Sequence, residues 1–451
     1  MSDNLNELLL SLIKRAEDRG ATAADAVAVD QVEGSVRVRL GEVDQIQQAR
    51  QRRVGLRVLM GGSQAISASG DLRPATLDQL VDTTCAMARL TASDPNAGLP
   101  EPEECGAAHV ERPDLRDSAA IGFDLQQGVE WARRAEEVAM AQDARITNSE
   151  GGEFGFAHTS RHYAASGGVA GSYQSSSFSG AVVPVAVQEG AMERDYWYSF
   201  RRHYSDLLSP EEVGKIAAAR TLRRLGAVQP KTGAVPVVFD HRTASSLVGQ
   251  LASALSGYSI YRGASYLREQ MGQQIASELV TIVDDATLSG GMATRPYDGE
   301  GLVGSCKTIV DSGVLKSYLL DSYSARKLGM KSTGNAARSV GDAPTVSPTN
   351  FHLKAAQCNP AEQLLDGISQ GFYVTELFGF GVNLTTGDYS QGASGMWIVD
   401  GKLSHPVNEA TIAGNLMQIM NDIEAAGDDL NPHKSVSSPS LRIREMMVAG
   451  A

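Results

Sequence analysis

The sequence predicts an α+β protein, with an N-terminal α/β-meander domain followed by a β-rich, mostly antiparallel C-terminal domain with packed helices. Two early segments, residues 36–40 and 54–60, alternate apolar and polar residues, as half-buried strands do. Glycine is frequent, at 46 of 451 residues, and many glycines adjoin Ser, Thr or aromatic residues. This is typical of strands joined by tight turns.

The N-terminal unit, residues 1–92, is predicted to form a small antiparallel meander that is covered by helices. Apolar residues at helical spacing over residues 5–16 predict the first helix, and Gly20 is a suitable stop. A second helix is expected over residues 76–90. The strands between them are separated by turn signals at Glu33-Gly34, Leu40-Gly41 and Gly61-Gly62.

Residues 93–122 are interpreted as a linker or a surface excursion, because they are rich in Pro, Glu, Gly and Asp and lack periodicity. The middle region, residues 123–230, begins with a helix over 123–142 and continues as several antiparallel strands over 146–204. Its second helix is predicted to start at Ser209, a capping serine followed by Pro210 and two acidic residues, and to reach about residue 225.

The C-terminal domain, residues 231–451, is predicted to be rich in strands. A short buried strand over 235–239 precedes a helix over 243–256, which ends at Gly257. This helix has an apolar stripe and a face of small residues, so we expect close packing on two sides and no chemistry facing a cleft. Strands dominate residues 279–407, with helical stretches near 322–328 and 360–369, and a last helix is expected over 411–426.

Charge and composition argue against several classes of function. The net charge of −13 opposes direct contact with nucleic acid, and the densest basic group, Arg50, Arg52 and Arg53, is interpreted as a solvated strand end. No apolar run approaches the roughly 20 residues of a membrane span, and the N-terminus lacks the features of a signal peptide. The four cysteines form no C-x-x-C pair. We therefore expect a cytoplasmic protein with reduced thiols.

Motifs for metal-dependent catalysis and for phosphate binding are missing from the sequence. None of the eight histidines is followed by Glu, so no H-E-x-x-H helix exists. The closest histidine pair, His158 and His162, lies in a predicted strand or loop, and residues four apart in a strand are about 13 Å distant. Gly299, Gly301 and Gly304 lack the Lys and the helix of a phosphate-binding loop. The residues themselves therefore identify no catalytic group and no metal ligand.

Two polar clusters belong to no recognised motif. Arg295, Tyr297, Asp298 and Glu300 form either a cleft or partner-binding loop, or an Arg–carboxylate lock that pins a turn, and both interpretations stay open. A second cluster at residues 193–200 joins charged residues to the aromatic run Tyr-Trp-Tyr-Ser-Phe. It is either an exposed strand that binds a partner or peptide or, as we prefer, a strand that packs in the core with alternate faces.

Several segments of the sequence resemble one known family. They are RITNSEGG at 145–152, MERDY at 192–196, ASELVTIVDD at 276–285, VLKSYLLDSYSARKLGMKSTG at 314–334 and ATIAGN at 410–415. Taken in order, they resemble the TldD/PmbA family of metallopeptidases over nearly the whole chain. This family also has the label "modulator of DNA gyrase". The resemblance is closest to its PmbA branch, also called TldE.

The resemblance implies that the family's zinc site is degenerate in this chain. TldD proteins carry a His-Glu-x-x-x-His helix and, nearer the C-terminus, a Cys as a further zinc ligand, whereas TldE proteins lack this set. The motif positions fall on residues 248–253, so Val248, Gly249 and Ser253 stand where the first His, the Glu and the second His would be. None of them can act as a good zinc ligand or a general base. No cysteine follows Cys358. His433 lies in roughly the right region for a substitute ligand, but the sequence around it offers no companion ligand, so we do not favour that role.

The resemblance therefore implies a non-catalytic subunit of a zinc metalloprotease complex, which binds no metal or cofactor itself. Its partner would be a TldD-type subunit that holds the zinc, and the complex would process peptides and unfolded polypeptides. Without that partner, the chain would form homodimers. The alternative is a stand-alone regulatory protein that binds DNA gyrase or another protein. A third hypothesis is an enzyme with an unrecognised site around residues 295–300.

Overall fold

The computed structural model describes residues 5–106, 114–379, 381–432 and 434–450. Within that part of the chain, we find no helix with the length and apolarity that crossing a bilayer requires. The described α-helices are α1 (Leu5–Asp18), α2 (Pro74–Leu90), α3 (Leu125–Met140), α4 (Pro210–Leu222), α5 (His241–Ala254), α6 (Gly257–Tyr261), α7 (Ser322–Leu328) and α8 (Leu416–Asn421).

One sheet combines the predicted N-terminal unit with the predicted middle region. Its strands are β1 (Ala23–Arg39), β2 (Glu42–Met60), β3 (Ser63–Ser69), β4 (Ile146–Ala165), β5 (Val169–Gln188), β6 (Ala191–Arg194) and β7 (Trp197–Arg201). They pair antiparallel in the order β3-β2-β1-β4-β5-β6, and β7 also pairs with β5. The two regions meet where β1 pairs with β4 along residues 25–38.

One predicted turn of the meander is wrong. β1 continues through Glu33 and Gly34, and Gly34 pairs with Gln48 of β2 and Phe156 of β4. This glycine serves close packing rather than a turn, because a Cβ atom there would lie 2.4 Å from the ring of Phe156. The turns predicted at residues 40–41 and 61–62 are confirmed.

The two faces of this sheet have different environments. Even-numbered residues of β1 between 24 and 38 face helices α1 to α4, in two apolar clusters that include Leu12, Leu77, Trp131 and Phe178. Odd-numbered residues such as Val27 face loops of the C-terminal half. Residues 54–59 of β2 are buried between these two layers, whereas residues 42–51 are exposed, so the sheet is covered on both faces over only part of its length.

The C-terminal half contains the remaining strands in a five-stranded sheet, a short pair and a seven-stranded sheet. The first has the order β11-β10-β9-β14-β20, from β9 (Val280–Asp285), β10 (Cys306–Asp311), β11 (Val314–Leu315), β14 (Asn350–Ala355) and β20 (Val436–Ser437). The pair is β12 (Ala336–Ala337) with β13 (Thr345–Val346). The last sheet comprises β8 (Gly233–Phe239), β15 (Gln370–Phe378), β16 (Val382–Asn383), β17 (Asp388–Val399), β18 (Lys402–Asn415), β19 (Ile423–Ala426) and β21 (Leu441–Gly450).

Five strands of the last sheet form a closed ring. They follow the order β15-β8-β21-β18-β17, and β15 pairs again with β17. Helix α5 contacts strands of this ring and of the five-stranded sheet. Its residues Leu247, Val248 and Leu251 are buried in the largest apolar cluster. The predicted antiparallel character is confirmed, with parallel pairing only at β8–β15 and β14–β20 among these described strands.

The last predicted helix is wrong over most of its length. Residues 411–415 belong to β18, only residues 416–421 are helical, and β19 follows. Burial alternates along β18, since Ala410 and Ile412 are buried whereas Thr411 and Ala413 are half-buried, as on a strand. The stretch predicted near 360–369 is a short 3-10 helix, Ala361–Leu365. Helix α5 ends at Ala254, three residues before Gly257, and Gly257 begins α6 instead.

The described part of the predicted linker lies against the C-terminal half. Tyr323 of α7 donates a hydrogen bond of 2.7 Å to Asp94, and Arg326 donates one of 3.0 Å to the carbonyl of Asn96. Residues 94–99 therefore follow α7 over the protein surface. Residues 107–113 lie outside the described part of the chain.

Candidate functional site

A cavity of about 420 Å³ lies between the first sheet and loops of the C-terminal half. Strands β1, β4 and β5 form one wall, and residues 292–299 and 337–348 contribute to the other. We call this cavity the central cleft, and the polar residues that line it include Arg161, His162, Tyr173, Arg202, Arg295, Tyr297, Asp298 and Arg338. Three strands of the first sheet therefore share one wall of the central cleft.

The predicted cluster at residues 295–300 is divided between the cleft and the interior. Arg295, Tyr297 and Asp298 line the cleft. The carboxylate of Asp298 accepts backbone N–H groups of Glu300 at 2.8 Å, Leu302 at 3.0 Å and Ala336 at 3.0 Å. Asp298 therefore pins the turn, but through backbone donors rather than through hydrogen bonds with Arg295. Burial raises the pKa of Asp298, and the nearby charge of Arg295 opposes that rise.

Glu300 lies behind the cleft in the interior. Its Oε2 accepts the backbone N–H of Ser322 at 2.9 Å, and its Oε1 lies 3.8 Å from Nη2 of Arg57. Burial raises the pKa of Glu300 to about 7, although the charge of Arg57 opposes the rise. Asp298 and Glu300 are therefore neighbours in sequence but have different roles. Asp298 holds a turn, whereas Glu300 links the two halves of the chain.

A buried charge network extends from Glu300 into the first sheet. Asp25 of β1 receives two hydrogen bonds from Arg57 of β2, at 3.0 and 2.6 Å, and one of 2.7 Å from Arg338. The side chains of Asp25 and Arg338 are fully buried. Burial alone would raise the pKa of Asp25, but the charges and hydrogen bonds of Arg338 and Arg57 lower it. This network connects β1 and β2 to two C-terminal loops.

The position of Glu300 predicts a pH dependence of stability. Because the pKa of Glu300 is about 7 in the folded chain and has an ordinary value of 4.5, the unfolded chain ionises at lower pH than the folded one. The contribution of Glu300 to stability is therefore lost as the pH rises from 4.5 to 7. We expect Glu300→Gln to be more stable than the wild type at pH 8 and to lose this advantage near pH 4.5.

Thermal unfolding at several pH values measures this effect, with Glu362→Gln as the control because Glu362 is exposed. The control should follow the wild type at every pH. A Glu300→Gln variant that is less stable than the wild type at pH 8 would show instead that the attraction to Arg57 exceeds the cost of burying the ionised Glu300 carboxylate.

The three positions to which the resemblance assigns the zinc motif lie on helix α5 and have three different environments. Val248 is fully buried. Gly249 is half-buried, and a Cβ atom there would meet only a side-chain carbon of Val436, at 4.0 Å. Ser253 is exposed and donates a hydrogen bond of 3.0 Å to the carbonyl of Gly249. The expectation of close packing on two sides is therefore wrong, because the helix is tightly packed on its apolar stripe but open to solvent at Ser253.

The described residues do not fit a bound zinc ion. No three His, Cys, Asp or Glu side chains in the described ranges lie close enough together to hold a metal. Of the histidine pair considered in the sequence, His162 contacts Asn6 through Nδ1 at 2.8 Å, whereas His158 lies four residues earlier on β4. His241 lies 3.5 Å from Asp429, but two groups are too few for a metal site. His433 lies outside the described residues.

The aromatic run at residues 196–200 combines both earlier interpretations. Tyr196 and Phe200 are exposed, whereas Trp197 is half-buried and packs against an apolar cluster. The guanidinium groups of Arg242 and Arg220 lie 4.7 Å from the Tyr196 ring and 5.3 Å from the Trp197 ring. The strand therefore has a core face, and its exposed face carries aromatic side chains.

The sequence interpretation missed the arginines of the central cleft and the Asp25 network. Asp25 and Arg57 are directly opposite each other on β1 and β2. Arg57 was interpreted as a polar residue of the alternating strand at residues 54–60, and no strand was predicted around Asp25, which lies on β1. Arg161 and Arg202 gave no signal, because no sequence pattern indicates that distant loops cover this face of the sheet.

Comparisons with known proteins cover nearly the whole chain. Family models described as PmbA/TldA metallopeptidase domain 1, central domain and C-terminal domain match residues 24–88, 121–225 and 232–450. Metalloprotease PmbA of Escherichia coli O157:H7 is 36% identical, over 96% of this chain and 93% of the relative. The Metalloprotease PmbA homolog of Haemophilus influenzae is 33% identical, over 99% and 96%. The Metalloprotease TldD homolog of that organism is 29% identical, over 52% of each chain.

Solved structures agree with this similarity at the level of the fold. A proposed modulator of DNA gyrase from Bacteroides thetaiotaomicron superposes with a TM-score of 0.92 and 25% identity, over 100% of both chains. TldE from Thermococcus kodakarensis superposes with a TM-score of 0.88 and 19% identity, over 98% of this chain and 99% of that one.

Proposed function

The chain belongs to the PmbA/TldD metallopeptidase family, and from this premise we propose that it is a metal-free, PmbA/TldE-type subunit of a zinc metalloprotease complex. The catalytic subunit in this proposal is a TldD-type chain that carries the His-Glu-x-x-x-His helix. The observation that supports the proposal most is the chemistry of α5. Val248 has no lone pair and is fully buried, Gly249 has no side chain, and Ser253 is an exposed hydroxyl.

The geometry of α5 also supports this assignment. The positions of the two motif histidines are five residues apart, or about 140° around a regular helix. In this chain one of them, Val248, faces the core and the other, Ser253, faces solvent. In this chain, therefore, neither position offers a metal-binding side chain to a cleft.

The lengths over which known relatives match this chain support its assignment to the PmbA/TldE branch. Four relatives named PmbA match over 83–96% of their length, whereas those named TldD match over about half. The names of the PmbA relatives assign proteolysis to them. In our proposal that activity belongs to a complex of two kinds of subunit. The TldD-type subunit supplies the zinc ion and the general base, and this chain supplies the rest of the walls around the substrate.

The proposed complex processes peptides and unfolded polypeptides in the cytoplasm. Its β-rich walls can bind an extended chain through backbone hydrogen bonds. In the absence of the TldD-type subunit, we propose that this chain associates with a second copy of itself. It has no direct role on nucleic acid, since its net charge is −13.

Reconstitution tests this function. The chain, a TldD-type chain from the same genome, and a mixture of the two are assayed for cleavage of an unfolded polypeptide and for complex formation by size-exclusion chromatography. We expect a stable complex and cleavage only when the TldD-type chain is present, with loss of cleavage when its motif Glu is replaced by Gln. A stable complex with DNA gyrase, and none with the TldD-type chain, would favour the alternative regulatory role.

A further inference from the structure

The central cleft has a charge opposite to that of the chain as a whole. The chain has a net charge of −13, yet the lining of the cleft contains Arg161, Arg202, Arg295 and Arg338. Asp298 is the carboxylate among the lining residues, and its oxygens already accept three backbone N–H groups. The lining is therefore rich in cations whose charge the cleft itself does not balance.

Arg202 is the clearest case of an unbalanced charge. Its side chain is buried and donates to the backbone carbonyls of Ser176 at 3.1 Å, Gly291 at 3.3 Å and Met292 at 2.7 Å. No carboxylate in the described ranges forms an ion pair with it. Burial lowers the pKa of Arg202, and the nearby charge of Arg161 lowers it further. Two arginines thus lie close together without an anion between them.

Two further arginines have donors that the protein leaves unused. Nε of Arg295 and Nη2 of Arg338 are buried and have no hydrogen-bond partner. Arg338 donates to Asp25 through Nη1, and Arg295 makes a long contact of 3.5 Å with the carbonyl of Ser347. Unsatisfied buried donors are rare in folded proteins, so these two groups leave hydrogen-bonding capacity unused at this wall.

Arg161 is the accessible member of the set. It is exposed on β4 and makes no hydrogen bond or ion pair within the described part of the chain. Its neighbour His162 contacts Asn6, and burial lowers the pKa of His162, so this histidine adds little positive charge at neutral pH. Arg161 is therefore the side chain that an entering ligand would meet, with the buried arginines behind it.

From this arrangement, we propose that the central cleft binds the oxyanion group of a small ligand or peptide, with Arg161 as the direct contact. Guanidinium groups bind carboxylate and phosphate through paired, charge-assisted hydrogen bonds. A volume of about 420 Å³ suits a small molecule or a short peptide end, and excludes a folded partner. The inference concerns the chain by itself and does not depend on the TldD partnership.

Isothermal titration at low ionic strength tests the proposal, with inorganic phosphate, succinate, and an acidic tetrapeptide with either a free or an amidated C-terminus. We expect at least one of these probes to bind, and Arg161→Gln to weaken that binding by about tenfold or more. Arg161→Lys should keep part of the affinity. Arg73→Gln is the matched control, since Arg73 is exposed but pairs with Asp71 outside the cleft, and it should bind as the wild type does.

The probes distinguish the source of the oxyanion. Preference for the free over the amidated peptide assigns the site to a peptide C-terminus, whereas binding of phosphate or succinate alone assigns it to a small anion. Both results support the proposal. It is overturned when no probe binds to the wild type, or when Arg161→Gln binds as well as Arg73→Gln does. Because Arg161 is exposed, circular dichroism should show an intact fold for its variants.

Discussion

Replacement of Asp25 by alanine is expected to lower the free energy of unfolding by about 3–5 kcal/mol. Asp25 is fully buried and accepts hydrogen bonds from Arg57 and Arg338. Without this carboxylate, two buried guanidinium groups lose their closest anion, and Glu300, at 3.8 Å from Arg57, remains as a distant one. An unpaired buried charge is costly, because the protein interior solvates it poorly.

Asp30→Ala is the matched control for this variant. Asp30 lies on the same strand and pairs with Arg50 and Arg52, each at 2.8 Å, but these arginines are partly exposed. Surface ion pairs contribute only about 0–1 kcal/mol. Thermal or denaturant unfolding at pH 7, followed by circular dichroism, compares the two variants with the wild type. Equal losses for Asp25→Ala and Asp30→Ala would contradict a joining role for the buried network.

Val248→His is expected to lower the free energy of unfolding by about 2–5 kcal/mol rather than to create a zinc ligand. Val248 is fully buried in the core cluster around α5. An imidazole there is larger than the valine side chain and would bury polar nitrogens in an apolar environment. Both effects destabilise the folded chain, which is measured as a lower midpoint of thermal unfolding.

Ser253→His is the control on the same helix and should change stability by less than about 0.5 kcal/mol, because Ser253 is exposed. We also expect that zinc does not restore the stability of the double variant Val248→His/Ser253→His, since the two side chains point in different directions. A zinc-dependent increase in its unfolding midpoint would show that the helix can still assemble a metal site.

The sequence predicted those helices whose start or end is marked by residues close together in the chain. The serine at position 209 caps α4, as expected, and its side chain forms a capping box with Glu212. The helix at residues 322–328 was predicted at its observed bounds. The failures came from packing between distant segments. Gly34 is needed because Phe156 lies against it, and residues 411–415 are a strand because β17 and β21 flank them.

The candidate site was predicted only where residues are neighbours in sequence. The cluster at 295–300 indicated a polar loop, and three of its side chains do line a cleft. The pattern could not show that Asp298 is satisfied by backbone donors whereas Glu300 faces Arg57, because these partners are brought together by the sheet and the loops. The arginines of the cleft come from four separate segments, so only the folded chain reveals them as one group.

The family relationship and the site chemistry lead to two separate roles. The chain shares the fold of a metallopeptidase family, but its α5 helix carries side chains that suit packing rather than metal binding. Its central cleft instead gathers positive charge that suits an oxyanion. A subunit that supports a catalytic partner and holds part of a ligand accounts for both observations.

The most direct test of the central claim is the zinc content of the chain purified without a TldD-type partner, measured by inductively coupled plasma mass spectrometry together with a peptidase assay. We predict zinc far below one ion per chain, and no cleavage of an unfolded polypeptide after incubation with zinc. Zinc at one ion per chain, removed by a chelator together with peptidase activity, would contradict the claim that the catalytic metal belongs to the partner.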